Sequence, residues 1–221
     1  MPVRLSWLFA LILSVLGPTS SLSAVEPFDP RTIVFIGSSS IEFWKSLPEH
    51  FAGSKVMNLG KAGTTYSHLV AHAGEWAARY PADRYVIYSG DNDIAWLGSP
   101  EKVARQFREV AQAMKAANPA VHIFVISIKP NVIPTRRVRI GAVRKANAMI
   151  AAEAASLEHV TYVDTHSHML GPNGNPRAEL FSIDGIHMNE KGYRVWRDVL
   201  RLNLEPPATV PGIPVARPFA P

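Results

Sequence analysis

Residues 32–40 read Thr-Ile-Val-Phe-Ile-Gly-Ser-Ser-Ser, and this stretch decides the interpretation of the fold. Five β-branched or aromatic residues precede the glycine without interruption. Such a run is typical of a parallel strand that is buried on both faces. The serines that follow are good helix N-caps. We therefore predict a buried strand that ends in a strand-to-helix turn.

Similar short β-branched runs recur along the chain and alternate with longer amphipathic stretches. This alternation is typical of parallel strands joined by crossover helices. We predict an α/β fold, a three-layer α/β/α sandwich with a flavodoxin-like five-stranded parallel sheet. The predicted strands are Thr32–Gly37, Lys55–Leu59, Tyr85–Gly90, Val121–Ser127 and Val160–Asp164, and the predicted helices are Tyr66–Arg79, Pro100–Ala117, Arg137–Leu157 and Glu190–Leu202.

The two ends of the chain differ from its centre. Arg4, the apolar stretch Leu5–Gly17 and a small, polar exit that ends at Ala24 have the order of a signal peptide. We predict a signal peptide at 1–24, a single domain at 25–204, and export to the periplasm or the medium with no stable membrane insertion after cleavage. Residues 205–221 hold six prolines and are predicted to form an extended tail.

Composition excludes several classes of function. The chain has no cysteine, so thiol catalysis and cysteine-based zinc sites are excluded. The formal net charge of +5 is mild. The densest basic stretch has no interleaved aromatic residues, which argues against a nucleic-acid groove and favours a solvated helix face. Its members are Arg136, Arg137, Arg139, Arg144 and Lys145.

Near the end of the predicted domain, Asp184 stands three residues before His187. One turn at this spacing lets the carboxylate accept the Nδ1 proton and leaves Nε2 free to act as a base. Chance and ordinary turn chemistry also produce this string, so alone it is a weak signal. In an open parallel sheet the ligand lies beyond the carboxyl ends of the strands, and the loop to His187 follows the last predicted strand.

A serine hydroxyl needs such a base to become a nucleophile. The three serines Ser38, Ser39 and Ser40 follow the first predicted strand and Gly37, where a nucleophile is expected. An N-cap role explains the three serines equally well, and the two roles are compatible.

Acyl transfer also needs hydrogen-bond donors for the developing oxyanion. The block Asn58-Leu59-Gly60-Lys61-Ala62-Gly63 offers backbone amides beside glycine, and Gly90-Asp91-Asn92-Asp93 adds a side-chain amide. Taken separately, each block is more often a turn than a site.

Together the four blocks resemble the SGNH hydrolase superfamily, also called GDSL-like esterases and lipases, in a bacterial-type branch with a Gly-Ser-Ser-Ser nucleophile block. The resemblance spans about Thr32 to Leu202. One residue departs from the name-giving motif, because Ser38 stands where the motif has aspartate. The resemblance implies a catalytic triad and an oxyanion hole but no metal and no cofactor. Its residues would be Ser39, Asp184 and His187 for the triad, and the Ser39 amide, Gly63 and Asn92 for the oxyanion hole.

This resemblance implies a serine hydrolase that cleaves short-chain acyl or acetyl esters of small molecules or carbohydrates through an acyl-enzyme. Two alternatives stay open at this point. The same triad could transfer an acyl group to a sugar or polyol, or the fold could serve as a catalytically silent binding module.

Other polar and aromatic residues favour structural interpretations. Asp164, His166 and His168 leave the fifth predicted strand without a further ligand set, and His68 and His72 lack the glutamate of a zinc-binding helix. Most tryptophans are expected in the core. Trp96 follows Asn92 closely enough to line an acyl or sugar pocket.

Overall fold

The computed structural model describes residues 31–204. Five strands occupy the positions that the apolar runs predict. They are β1 (Thr32–Gly37), β2 (Lys55–Gly60), β3 (Arg84–Tyr88), β4 (His122–Ile126) and β5 (Val160–Val163).

Four long helices connect or follow these strands, and four short ones lie in the loops. The long helices are α3 (Tyr66–Arg79), α5 (Pro100–Ala117), α7 (Ile140–Ala155) and α8 (Glu190–Leu204). The short helices are α1 (Ser39–Glu42), α2 (Leu47–His50), α4 (Asp91–Ala95) and α6 (Pro134–Arg137). Two 3-10 turns, Ser167–Met169 and Ala178–Leu180, lie between β5 and α8.

The sheet is fully parallel and has the strand order β2-β1-β3-β4-β5. This is the flavodoxin-like order, in which the chain moves to the other side of β1 after β2. The predicted fold class, a five-stranded α/β/α sandwich, is confirmed. The carboxyl end of β1 lies at the point where the order reverses, which is where ligands bind in open parallel sheets.

Each face of the sheet carries its own hydrophobic core. One core packs alternate strand residues such as Val34 and Ile87 against α3, α5 and α7. The other packs residues such as Phe35 and Tyr88 against Trp44 and the α8 face that contains Trp196. Burial on both faces explains why β1 has no polar alternation.

Most predicted element ends agree with the structure within one or two residues, and two of the differences have a clear physical reason. The predicted helix Arg137–Leu157 is α7 alone and begins only at Ile140, because Arg137 ends the separate helix α6 and the chain turns there, with the Arg139 amide donating to the Arg136 carbonyl at 3.0 Å. The third strand ends at Tyr88 and not at Gly90, since Gly90 has a φ of +106°, which is incompatible with a strand.

The predicted signal peptide and the proline-rich tail lie outside the described residues. Both therefore stay predictions, as do export and the domain boundaries. Within residues 31–204, no helix has the length and apolar character that a membrane span requires.

Candidate active site

Ser39 lies at the first turn of α1, directly beyond the end of β1. The turn depends on Gly37, because a Cβ there would lie 1.9 Å from the Tyr88 carbonyl oxygen. Ser38 occupies the N-cap position of α1, but its hydroxyl makes no capping hydrogen bond. The N-cap interpretation therefore does not account for the three serines. Ser39 itself is 8% exposed, at the carboxyl edge of the sheet.

Ser39, His187 and Asp184 form a continuous hydrogen-bonded chain. Ser39 Oγ lies 2.9 Å from His187 Nε2. On the other side of the ring, His187 Nδ1 lies 2.5 Å from Asp184 Oδ2. This is the arrangement in which a carboxylate orients an imidazole and the imidazole accepts a proton from a hydroxyl.

Asp184 is held in its ionised form. Burial opposes ionisation, but hydrogen bonds from the His187 ring and from the backbone amides of Ile186 and His187 outweigh it and lower the pKa of Asp184 to about 2. Both amides donate to Asp184 Oδ1 at 2.9 Å. Asp184 therefore carries its negative charge throughout the neutral pH range.

The two further residues expected at an oxyanion hole lie beside Ser39. Gly63 has a φ of +76°, a conformation that L side chains rarely adopt. Its amide has no acceptor among residues 31–204. Asn92 lies in α4, and its Nδ2 donates to the Thr64 carbonyl at 3.1 Å, which fixes the amide next to the Gly63 loop.

Four of the five predicted site residues line one open cavity of about 210 Å³, and the exception is Asp184. Asp184 does not line the cavity and is joined to it by its hydrogen bond with the His187 ring. The complete lining is Ser39, Phe43, Ala62, Gly63, Asn92, Arg136, Ile186 and His187.

Phe43 and Arg136 are site residues that the sequence interpretation missed. Phe43 packs edge-on against the His187 ring, with centroids 5.0 Å apart, and limits its rotation. The interpretation of the basic stretch as a solvated helix face is wrong for Arg136, which lines this cavity. It is also wrong for Arg139, whose guanidinium donates to the Ile94 carbonyl at 2.9 Å. The assignment is correct for the exposed Arg144 and Lys145.

A buried ion pair lies beneath the site. Lys129 Nζ is 3.1 Å from Asp91 Oδ2, and the two side chains are 1% and 7% exposed. Asp91 Oδ1 accepts the Asn92 amide at 2.9 Å and lies 3.5 Å from Ser38 Oγ. Burial raises the pKa of Asp91, but the charge and hydrogen bond of Lys129, the charge of Arg136 and the Asn92 amide together outweigh burial and lower the pKa. A carboxylate therefore lies beneath Ser38, the position where the name-giving motif has its aspartate.

Two asparagines near the candidate site, Asn58 and Asn189, have structural roles. Asn58 joins β2 to α1 by donating from Nδ2 to the Ile41 carbonyl at 2.7 Å. Asn189 joins the loop before α8 to the helix, since its Nδ2 donates to the Phe181 carbonyl at 3.0 Å and its Oδ1 accepts the Lys191 amide at 2.9 Å.

The other candidate ligands lie apart from the cavity of Ser39. Asp164 accepts hydrogen bonds from the Ser167 amide and hydroxyl, and His166 Nδ1 lies 2.9 Å from the Ile128 carbonyl oxygen. His68 and His72 lie against each other on α3, with ring centroids 4.6 Å apart. The described part of the chain holds no cluster of three metal-ligating side chains.

Trp96 lines a separate cavity of about 180 Å³, together with Asp93. The tryptophan is 61% exposed, and the expectation that it lines the pocket of Ser39 is wrong.

The raised pKa of Asp93, beside the candidate site, predicts a pH dependence of stability that can be tested. Burial outweighs the hydrogen bonds from the Tyr66 amide and raises the pKa of Asp93 to about 6, from 3.8. Between these two values the folded state binds more protons than the unfolded state, so ionisation of Asp93 lowers stability as the pH rises. Asp93→Asn should therefore gain stability relative to the native protein between about pH 4 and about pH 8, by up to about 3 kcal/mol.

Urea denaturation of both proteins at the two pH values measures this gain. Asp83→Asn is the control, because Asp83 is exposed. Equal pH dependence of Asp93→Asn and Asp83→Asn would show that Asp93 titrates normally.

A serine, a histidine and an aspartate meet at the switch point of a flavodoxin-like sheet, with amide donors beside the serine. Residues 35–195 match the model of the GDSL-like lipase/acylhydrolase family, and the chain belongs to this family. The protein is therefore a hydrolase, and ester hydrolysis is the activity that its family supports.

Solved structures with the same fold include members of this family. A GDSL-like lipase from Bacteroides thetaiotaomicron is 21% identical, with a TM-score of 0.68 over 82% of this chain and 91% of that one. A family 3 carbohydrate esterase from Clostridium thermocellum is 18% identical, with a TM-score of 0.62 over 77% of this chain and 92% of that one. One from Talaromyces cellulolyticus is 17% identical, with a TM-score of 0.60 over 78% and 95%. No curated protein matches the sequence.

Proposed function

We propose that this protein is a serine esterase that cleaves short-chain acyl esters, acetyl esters included, through an acyl-enzyme. The observation that carries the proposal is the hydrogen-bonded chain from Ser39 through His187 to Asp184. It lies in a cavity that also holds Gly63 and Asn92.

In the first half of the reaction, Ser39 Oγ forms a bond to the ester carbonyl carbon while His187 Nε2 takes the hydroxyl proton. The carbonyl oxygen becomes an oxyanion, which the amides of Ser39 and Gly63 and the Asn92 side chain stabilise. The bond to the alcohol oxygen then breaks, and His187 returns the proton to that oxygen. Asp184 stays ionised and stabilises the imidazolium that forms in between.

In the second half, water replaces the alcohol. His187 takes a proton from the water as its oxygen attacks the acyl carbon, and it returns the proton to Ser39 Oγ when the acid leaves. The products are the free acid and the free enzyme, and no external oxidant, metal or cofactor enters the balance.

The size of the cavity favours small acyl groups. A volume of about 210 Å³ is below the range of about 300–1,000 Å³ that is usual for drug-sized ligands. The carbohydrate esterases among the structures of the same fold make acetylated sugars the first natural substrate class to test.

Two measurements on the purified protein test the proposal. A fluorophosphonate should label the chain once, and peptide mass spectrometry should place the adduct on Ser39. A series of 4-nitrophenyl esters from acetate to palmitate, with peracetylated xylose alongside, should give the highest kcat/KM for the shortest acyl groups. An adduct on another residue, or rates that rise with chain length, would contradict the proposal.

A further inference from the structure

Arg136 lines the cavity that holds Ser39 and His187, and it also lines a neighbouring pocket beside Asp91 and Lys129. It is half-buried, in α6, on the loop that follows β4. No acidic side chain is among the residues that line the cavity of Ser39.

The Arg136 guanidinium forms no salt bridge and no hydrogen bond with any side chain or carbonyl of residues 31–204. Both nearby carboxylates are already engaged, because Lys129 pairs with Asp91 and His187 pairs with Asp184. A half-buried cation carries a desolvation cost, which no hydrogen bond or ion pair within residues 31–204 offsets, although Asp91 attracts Arg136 from beyond salt-bridge distance.

The loop that carries Arg136 is held at both ends. On one side, the Val132 amide donates to the Gly185 carbonyl at 3.0 Å, which joins the loop to the turn between Asp184 and His187. On the other side, Arg139 donates to the Ile94 carbonyl in α4, the helix that contains Asn92. Arg136 is therefore held in position relative to both the base and the oxyanion donors.

The charge of Arg136 acts on its surroundings. It contributes, after Lys129, to the lowering of the pKa of Asp91. A guanidinium is planar and always charged, and it binds carboxylates and phosphates through two parallel hydrogen bonds. The Arg136 side chain is therefore suited to bind an anionic group of a substrate in this cavity.

We propose that Arg136 binds a negatively charged group, a carboxylate or a phosphate, of an ester whose scissile carbonyl lies at Ser39. This inference rests on the proposed esterase function and adds to it a preference for esters that carry an anionic group. The anionic group belongs either to the acyl part or to the alcohol part of the ester. In both cases the Arg136 guanidinium would bind a carboxylate or a phosphate.

Matched pairs of esters test the inference. On the alcohol side, 3-acetoxybenzoate is compared with its neutral methyl ester, and 3-acetoxyphenyl phosphate provides the phosphate. On the acyl side, 4-nitrophenyl hydrogen adipate is compared with its methyl ester. In at least one pair we expect kcat/KM to favour the anion, and Arg136→Gln should reduce this preference by about tenfold to hundredfold.

The matched control is Arg144→Gln, which removes an equal charge from an exposed position that does not line the cavity. It should keep the preference of the native protein. An anion preference that Arg136→Gln leaves unchanged, or equal losses for the charged and neutral members of every pair, would overturn the inference and leave the esterase function intact.

A binding measurement separates the two proposals. Calorimetry of 3-hydroxybenzoate and of adipate, the anionic products of the two pairs, requires no turnover, and binding of at least one of them to the native protein should weaken about tenfold or more in Arg136→Gln. Binding that depends on Arg136 without hydrolysis of any ester would support the anion site and contradict the esterase function. Binding that does not depend on Arg136 would overturn the anion site.

Discussion

Ser39→Ala should lower kcat/KM for a short aryl ester by a factor of about 10⁴ or more, with little change in the fold. Ser39 Oγ is the only serine oxygen that contacts His187 Nε2 among the described residues. Alanine removes one atom from a residue that is 8% exposed, so the free energy of unfolding should change little. The assay is initial-rate kinetics with circular dichroism as the test of folding.

The neighbouring serines provide matched controls for this variant. Ser38→Ala and Ser40→Ala delete the same hydroxyl from the two flanking positions, and neither hydroxyl contacts His187 in the described structure. Both should keep substantial activity. A folded Ser38→Ala or Ser40→Ala that loses all activity, beside an active Ser39→Ala, would move the nucleophile to another serine.

Lys129→Met should destabilise the protein by about 3–5 kcal/mol. The variant leaves Asp91 buried without its cation, while methionine approximates the shape of the lysine stem. Since burial alone raises the pKa of Asp91, the unpaired carboxyl should take up a proton on folding. The destabilisation should therefore be largest at high pH and decrease as the pH falls.

Urea denaturation over a range of pH measures this loss, and two further variants define its origin. Lys145→Met breaks the exposed pair with Glu101 and should change stability far less. The double variant Asp91→Asn with Lys129→Met removes both charges and should recover much of the loss. If the double variant is as unstable as Lys129→Met alone, packing of the lysine stem and not its charge stabilises the fold.

The sheet and the long helices could be predicted because their signals are local. The run from Thr32 to Ile36 is apolar because both of its faces are covered, and α3 and α5 begin and end where the sequence predicts. The short helix α4 was not predicted. It contains only five residues, and its position depends on contacts such as Asn92 Nδ2 with the Thr64 carbonyl.

The candidate site was predictable only as a set of motif blocks. Ser39 and His187 are 148 residues apart in the sequence, and no local pattern shows that they meet. The family resemblance supplied that pairing. Arg136 could not be found in this way, because a basic stretch on a loop has the same composition whether it faces solvent or a cavity. Its position depends on the contacts of Val132 and Arg139 with other loops.

The distance along the chain between Ser39 and His187 has a consequence for folding. The hydroxyl comes from the turn after the first strand and the imidazole from the loop before the last helix, so the contact between them closes a loop of 148 residues that contains the other four strands. Closing so long a loop costs chain entropy before the contact is gained, which makes contacts of this range slow to form. A partly folded chain with intact β1 and α1 would therefore have a serine without its base, and hydrolysis would report that the whole domain has closed.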